Sequence, residues 1–269
     1  MKIDRDFCDT IERAEVLGLR HCVESAKRRF SDLNPQALNI GGGIAAFAGV
    51  NSPLSEAIGI GLWERAAQDE AEALTAFYRE RGAQPRVRLS PYADPAFVRA
   101  LLGLGYAPLE YENPLTAELA AIGAHRDPRV TAMRDANEWS LATGSAFLDG
   151  ARCDESNLLI GLMVCTPPET TALEIRVDDA IVASGCMDVQ GEIAGFYGAA
   201  TAVGHRGRGL QTALVLDRAA RALERGAQFG RVTTRPGSTS EQNFRRIGFV
   251  LLYTRTLWGI PCNDSASPS

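Results

Sequence analysis

Two stretches of this chain carry the same pattern of apolar and polar positions. Leu210, Ala213, Leu214, Ala220 and Leu223 recur at helical spacing, opposite Arg218, Arg221 and Glu224, and Gly226 ends the run. Ala73, Leu74, Phe77 and Tyr78 form the matching stripe earlier on, with Glu70, Glu72 and Arg79 outside it and Gly82 as the stop. This 3.6-residue period predicts two amphipathic helices, each closed by a glycine able to take the left-handed conformation that commonly ends a helix. A short apolar run follows each (Arg86-Val87-Arg88-Leu89 and Arg231-Val232-Thr233-Thr234), then a shorter helix-like stretch ending in Gly105-Tyr106 or Gly248-Phe249. The glycines are 23 residues apart in the first case (82 to 105) and 22 in the second (226 to 248). Strand-like runs come next, over residues 107–115 and 250–260. The chain therefore holds an internal repeat of one helix–strand–helix–strand unit.

The segments before each unit extend the plan. Strands are predicted over residues 44–50 and 58–62 in the first half, and over 172–177, 181–189 and 193–203 in the second. Turns at Asp178-Asp179 and Gln190-Gly191 predict an antiparallel meander there. Helices are expected over 8–30, 135–148 and 158–164, and Gly41-Gly42-Gly43 is read as a flexible entry to the strand beginning at Ile44. The expected class is α/β (α+β): two units, each a mixed, mainly antiparallel sheet flanked by helices. Residues 1–115 make the first, 116–128 a linker with a short helix over 117–122, 129–260 the second, and 261–269 a small, polar, disordered tail.

Composition narrows the function classes. With 269 residues, 45% of them apolar and 23% charged, the chain can bury a core and is not a disordered protein. No run approaches the ~18–20 apolar residues needed to cross a bilayer, and the first residues turn acidic at once, so a cytoplasmic protein without a membrane partner is expected. The net charge of -5, with no Lys/Arg block, lacks the footprint of a nucleic-acid binder. Six scattered cysteines and three histidines form no metal-ligand spacing, so no metal is expected and the thiols are read as reduced.

The most specific local feature is Val203-Gly204-His205-Arg206-Gly207-Arg208-Gly209-Leu210-Gln211-Thr212, set between a strand and an amphipathic helix. Gly207 and Gly209 allow close backbone approach, the first amides of the helix have no intrahelical acceptor, and Arg206 and Arg208 add positive charge. Such a turn suits a pyrophosphate. It is not a dinucleotide fingerprint, since the strand before it belongs to a meander, nor a P-loop, since no Gly-Lys-Ser/Thr follows.

The turn resembles the acyl-CoA-binding turn of the GNAT superfamily of N-acetyltransferases, Gln/Arg-x-x-Gly-x-Gly/Ala after the fourth strand. Here it falls on Gly204 to Gly209, with Gly204 departing from the polar first position. The resemblance covers roughly residues 129–258 and includes Asn243-Phe244-Arg245-Arg246-Ile247-Gly248-Phe249. It implies acetyl-CoA as co-substrate, held by backbone at Thr201, Ala202 and Val203, by residues 206–212 (Arg206, Gly207, Arg208, Gly209, Leu210, Gln211, Thr212) and by Asn243. The first half looks like a degenerate copy: Trp63-Glu64-Arg65-Ala66-Ala67-Gln68-Asp69-Glu70 puts carboxylates where the anion would sit.

The implied reaction is acetyl transfer to an amine of a small molecule or protein. Family members commonly carry a Tyr acid four residues before the Gly of Gly-Phe, and Phe244 stands there. Tyr197 is the first candidate to replace it, with Ser240 and Tyr253 behind. Glu192 is the first candidate for the base and Glu174 the second, while His205 is read as a loop or phosphate contact. The competing reading is a non-catalytic acyl-CoA sensor or partner-binding protein. Oligomeric state and the identity of the acceptor are not encoded in any feature named above.

Overall fold

The structure is a computed structural model that describes residues 2–261; all of the expected tail over 261–269 except Pro261 lies outside the described residues. In chain order the elements are α1 (Arg5–Arg29), β1 (Gln36–Ile40), β2 (Gly43–Phe47), β3 (Ala57–Ile58), α2 (Gln68–Arg79), β4 (Arg86–Leu89), α3 (Pro95–Gly103) and β5 (Ala107–Glu118). There follow β6 (Val130–Ala132), α4 (Ala136–Phe147), α5 (Glu155–Cys165), β7 (Thr171–Val177), β8 (Ala180–Gln190), β9 (Ile193–Thr201), α6 (Leu210–Glu224), β10 (Phe229–Thr234), α7 (Thr239–Ile247), β11 (Val250–Leu251) and β12 (Arg255–Gly259). The strands form one mixed, mostly antiparallel sheet ordered β1-β2-β3-β4-β12-β5-β10-β9-β8-β7-β6, with β11 beside β5.

The two stripes of the sequence become α2 and α6, each bridging a parallel strand pair, β3 to β4 and β9 to β10. Alpha-helical stripes cover both faces of the sheet. In the first half Val16, Leu19 and Val23 of α1 pack on Ile44, Ala46 and Ile58, while Leu74, Phe77, Phe97 and Leu101 of α2 and α3 cover Phe47, Val87 and Leu89 from the other side. In the second, Val215, Ala219 and Ala222 of α6 and Phe244 of α7 cover Phe196 and Val232, and Trp139 of α4 with Cys165 of α5 pack on Ala172 and Cys186.

The final strands of the two units are exchanged. Residues 107–112 of β5 pair with β12, whereas residues 113–118 pair with β10, so β5 changes partner between Glu112, opposite Arg255, and Asn113, opposite Thr234. In return β12 lies between β4 and β5 and completes the sheet of the first half. A buried ionic network ties α1 to this crossing. Arg255 grips Glu15 with two nitrogens, both at 2.7 Å, and Glu112 at 2.9 Å. Arg88 reaches Glu15 at 3.1 Å and Glu56 at 2.9 Å, and the Tyr253 hydroxyl donates to Glu12.

Several expectations change. Gly41 and Gly42, both at positive φ, form a tight hairpin turn between β1 and β2 rather than a flexible lead-in, and β1 itself is an added strand. The expected boundary near residue 115 falls inside β5, and residues 119–121 make a single 3-10 turn in place of a helix. The last expected strand divides into β11 and β12.

Candidate functional site

β9 and β10 pair in parallel over only three rows, Ile193–Phe229, Ala194–Gly230 and Gly195–Arg231. Beyond Gly195 they part. On its other edge β9 carries a bulge: Tyr197 pairs with Cys186 and Ala200 with Ser184, leaving Gly198 and Ala199 opposite Gly185. Gly198 adopts φ 59°, and a Cβ there would stand 3.1 Å from Val164. A bulge of this kind bends its strand and re-aims the side chains that follow.

The turn after β9 holds Gly207 and Gly209 at φ 75° and 73°. A Cβ at either would meet nothing within 4 Å. Their requirement for glycine is therefore conformational, set by the left-handed backbone. Five helices begin under a side-chain cap, from Asp4, Asp94, Asp135, Asp154 or Ser238. α6 begins at Gly209 with none. Its first intrahelical bond runs from Ala213 N to Gly209 O, at 3.0 Å. The amides of Leu210, Gln211 and Thr212 thus carry the positive end of the helix dipole without a side-chain acceptor.

These parts surround a cavity of about 630 Å³, whose walls come from the end of α4 (Ala146, Phe147), the parted end of β9, the turn, the first turns of α6, and α7. Of the residues expected at a cofactor, Thr201, Arg206, Gly207, Gly209, Leu210, Gln211, Thr212 and Asn243 line it, together with His205 and Ser240. Ala202, Val203 and Arg208 are not in its wall. The Ala202 amide donates to Val182 O at 2.9 Å, and Arg208 folds back onto Gly204 O at 3.0 Å. Arg206 is not a free anion ligand either: it spans Thr201 O (3.2 Å), Ala146 O (2.9 Å) and Asp149 (2.8 Å), stapling the turn to β9 and α4. Gln211 closes the strand end by donating to Ala200 O at 2.8 Å and Thr201 Oγ1 at 2.9 Å.

Neither expected catalytic residue borders the cavity. Glu192 is exposed at the β8–β9 turn and accepts from Gln228 at 2.9 Å; at ~3.3 Å per residue it lies roughly 30 Å along the strand from Thr201. Tyr197, before the bulge, turns toward Trp139 and Cys186 and shares a hydrogen bond of 2.8 Å with Thr170. Burial pushes its phenol well above the ordinary value, so it holds its proton firmly. Glu174 is fully buried on β7 against Arg176 at 2.6 Å, and Tyr253 belongs to the ionic network. Phe244 does line the cavity, packed edge-on to Phe249 at 4.9 Å.

The sequence reading missed Ala146, Phe147 and Arg246 in the wall. Arg246 donates to Asn243 Oδ1 at 2.7 Å and, after Arg206, brings a second guanidinium to the cavity wall. Its basic neighbourhood on α7 was a signal within reach; for Phe147, which arrives from a helix distant in sequence, there was none. Among the described residues no group of three or more His, Cys, Asp or Glu side chains is arranged to hold a metal, and no helix is long and apolar enough to cross a membrane.

No family model and no curated protein matches the sequence. Solved structures do match by fold. A GCN5-related N-acetyltransferase from Kribbella flavida superposes with a TM-score of 0.62 at 18% identity, over 89% of this chain and 95% of that one. An acetyltransferase of the GNAT family from Novosphingobium aromaticivorans gives 0.55 at 18% identity, over 89% and 96%. A tandem GNAT protein from the clavulanic acid biosynthesis pathway gives 0.55 at 13% identity, over 81% and 77%. The chain has the GNAT fold, along the full length of the likeness rather than in one half.

Proposed function

We propose that this chain is an acyltransferase that moves an acetyl group from acetyl-CoA to a primary amine of a small molecule or protein. The observation that carries the reading is an uncapped helix start, α6, opening on a cavity walled by the parted end of β9. Acetyl-CoA supplies an activated acyl group as a thioester. The chain's own part is to bind and orient it: the amides of residues 210–212 suit the pyrophosphate, and Arg246 adds charge at the α7 side. Backbone groups of β9 beyond Gly195, unpaired toward β10, suit an extended pantetheine arm. Arg206 and Gln211 hold the turn in shape.

Calorimetric titration with acetyl-CoA tests the reading, with a dissociation constant in the range of roughly 1 μM to 1 mM expected. Gly209→Trp, which fills the space before the first amides of α6, should weaken it at least about tenfold, or ~1.4 kcal/mol. Wild-type protein that binds no acetyl-CoA at millimolar concentration overturns the proposal. Phe244 favours a second reading, an acyl-CoA-binding protein without turnover, because the cavity wall offers no hydroxyl at that point. Tight binding with no release of CoA thiol across a panel of amines decides for it.

A further inference from the structure

Arg218 departs furthest from the sequence pattern. The stripe along α6 places it on the polar side with Arg221 and Glu224, yet its side chain is fully buried. Gln211, Val215 and Arg218 follow one another at i, i+4 and i+7 and so share one side of the helix. Gln211 bonds the end of β9, Val215 lines the cavity, and Arg218 comes next, about 4.5 Å further along the axis. Its guanidinium lies 5.0 Å from the centroid of Phe196. It also presses on Gly185, directly across from the β9 bulge, where a Cβ would stand 3.2 Å from Cζ. Phe196 and Val215 pack in one cluster with Phe244.

The hydrogen-bonding of this group is incomplete. Nε donates to Leu214 O at 3.1 Å and Nη1 to Cys186 O at 2.9 Å, while Nη2 is buried without a partner. Among the described residues no ion pair joins it to a carboxylate. The neighbouring acid, Asp217, is taken up by Arg126 and Arg221. Cys186 and Tyr197, the other titratable groups near it, are pushed well above their ordinary values by burial and stay neutral. Burial draws the guanidinium down to about 10, which still leaves it charged at neutral pH. The contrast is Arg255, equally buried but matched by Glu15 and Glu112. A buried charge without a counter-charge destabilises a fold unless an anion arrives to answer it.

The acyl transfer proposed above creates such an anion. The amine nitrogen attacks the thioester carbon and forms the C–N bond; the C–S bond breaks and its electron pair leaves on sulfur; the proton lost by the nitrogen passes to water. We propose that Arg218 is a positioning residue whose unpaired guanidinium, set behind Val215 and Phe196, stabilises the departing CoA thiolate in place of the proton donor that Phe244 cannot be. Through Nη1 it also holds the carbonyl of Cys186 on β8, and so braces the strand that pairs with the β9 bulge. This inference rests on the acyl-transfer reading.

The test follows the ionisation of CoA bound to the full chain, by difference ultraviolet absorbance against the protein holding S-methyl-CoA. In wild-type protein the bound thiol should ionise at least about one pH unit below free CoA. Arg218→Met should fold, since replacing a buried charge by an apolar side chain of similar volume is often neutral. It should bind acetyl-CoA within about threefold of wild type, lose the shift in thiol ionisation, and slow amine-dependent thiol release roughly tenfold or more. Arg218→Lys, which keeps the charge, should recover part of the shift. A wild-type complex in which CoA titrates like free CoA, a measurement that needs no variant, overturns the role of Arg218 while leaving acyl transfer standing. An unchanged shift in Arg218→Met does the same. Failure of wild-type protein to bind acetyl-CoA at all overturns both.

Discussion

Gly195 has no side chain because two charged ones fill its space. A Cβ there would stand 2.3 Å from Asp188 Oδ1 and 2.9 Å from Arg231 Nη2, and one at Gly18 of α1 would stand 3.0 Å from Asp188 Oδ2. Asp188, Gly195 and Arg231 form one row across β8, β9 and β10, at the last rung before β9 and β10 part. The two charges are therefore clamped between the sheet and α1 at the root of the fork. Gly195→Ala is expected to destabilise the fold by about 1–3 kcal/mol, as overpacking does; urea denaturation that finds no loss would show that the clamp yields. At this scale the sequence was partly readable. Gly207 and Gly209 announced themselves because left-handed backbone before a helix calls for glycine. Arg218 did not, because a helical stripe assigns arginine to solvent, and its burial depends on Gly185, a residue of a distant strand. Tyr197 points away from the cavity for a similar reason, since a bulge that periodicity does not encode follows it; Glu192 stands at the β8–β9 turn that Gln190-Gly191 already announced, at the far end of the strand from the cavity.

α1 shows how an element is held by charge as much as by apolar surface. Burial alone would raise the carboxyl of Glu15; the charge of Arg255 and its two hydrogen bonds overcome this and hold it far below the ordinary carboxylate range. Glu12 and Glu56 go the other way, with burial prevailing. A depressed carboxyl contributes stability in full above its unfolded value of ~4.3 and loses it as the pH falls below; the raised pair has the opposite sign. Glu15→Gln should thus cost about 3 kcal/mol near neutral pH, leaving Arg255 buried with one partner fewer, and the gap to wild type should narrow below pH ~4. A gap independent of pH, measured by denaturant unfolding across that range, would rule out this account. The repeated helices were legible because their stripes are long and glycine-terminated. β1 and β6 were not, since β1 is partly exposed and β6 has three residues, too few to show a period.

In the whole molecule the repeat and the sheet do not share boundaries. Each unit's last strand completes the other's sheet, β5 beside β10 and β12 beside β4. Local patterns reveal that two units exist, but nothing local says which strand pairs with which. A chain ending at residue 128 is accordingly expected to lack a cooperative unfolding transition by near-ultraviolet circular dichroism, because β4 would lose β12 and the whole of β5 would lose its partners β12 and β10; a sharp, cooperative melt of that fragment would contradict the exchange. The crossing also sets a timetable for synthesis. β4 leaves the ribosome about 170 residues before β12, an interval of roughly 8–34 s at ordinary elongation rates. Through that wait the first half exposes an open strand edge to every other nascent chain. Arg86 and Arg88, whose partners Glu15, Glu56 and Glu110 all belong to the same half, put charged side chains along that edge from the start, the kind of guard that keeps an unfinished sheet from recruiting a stranger.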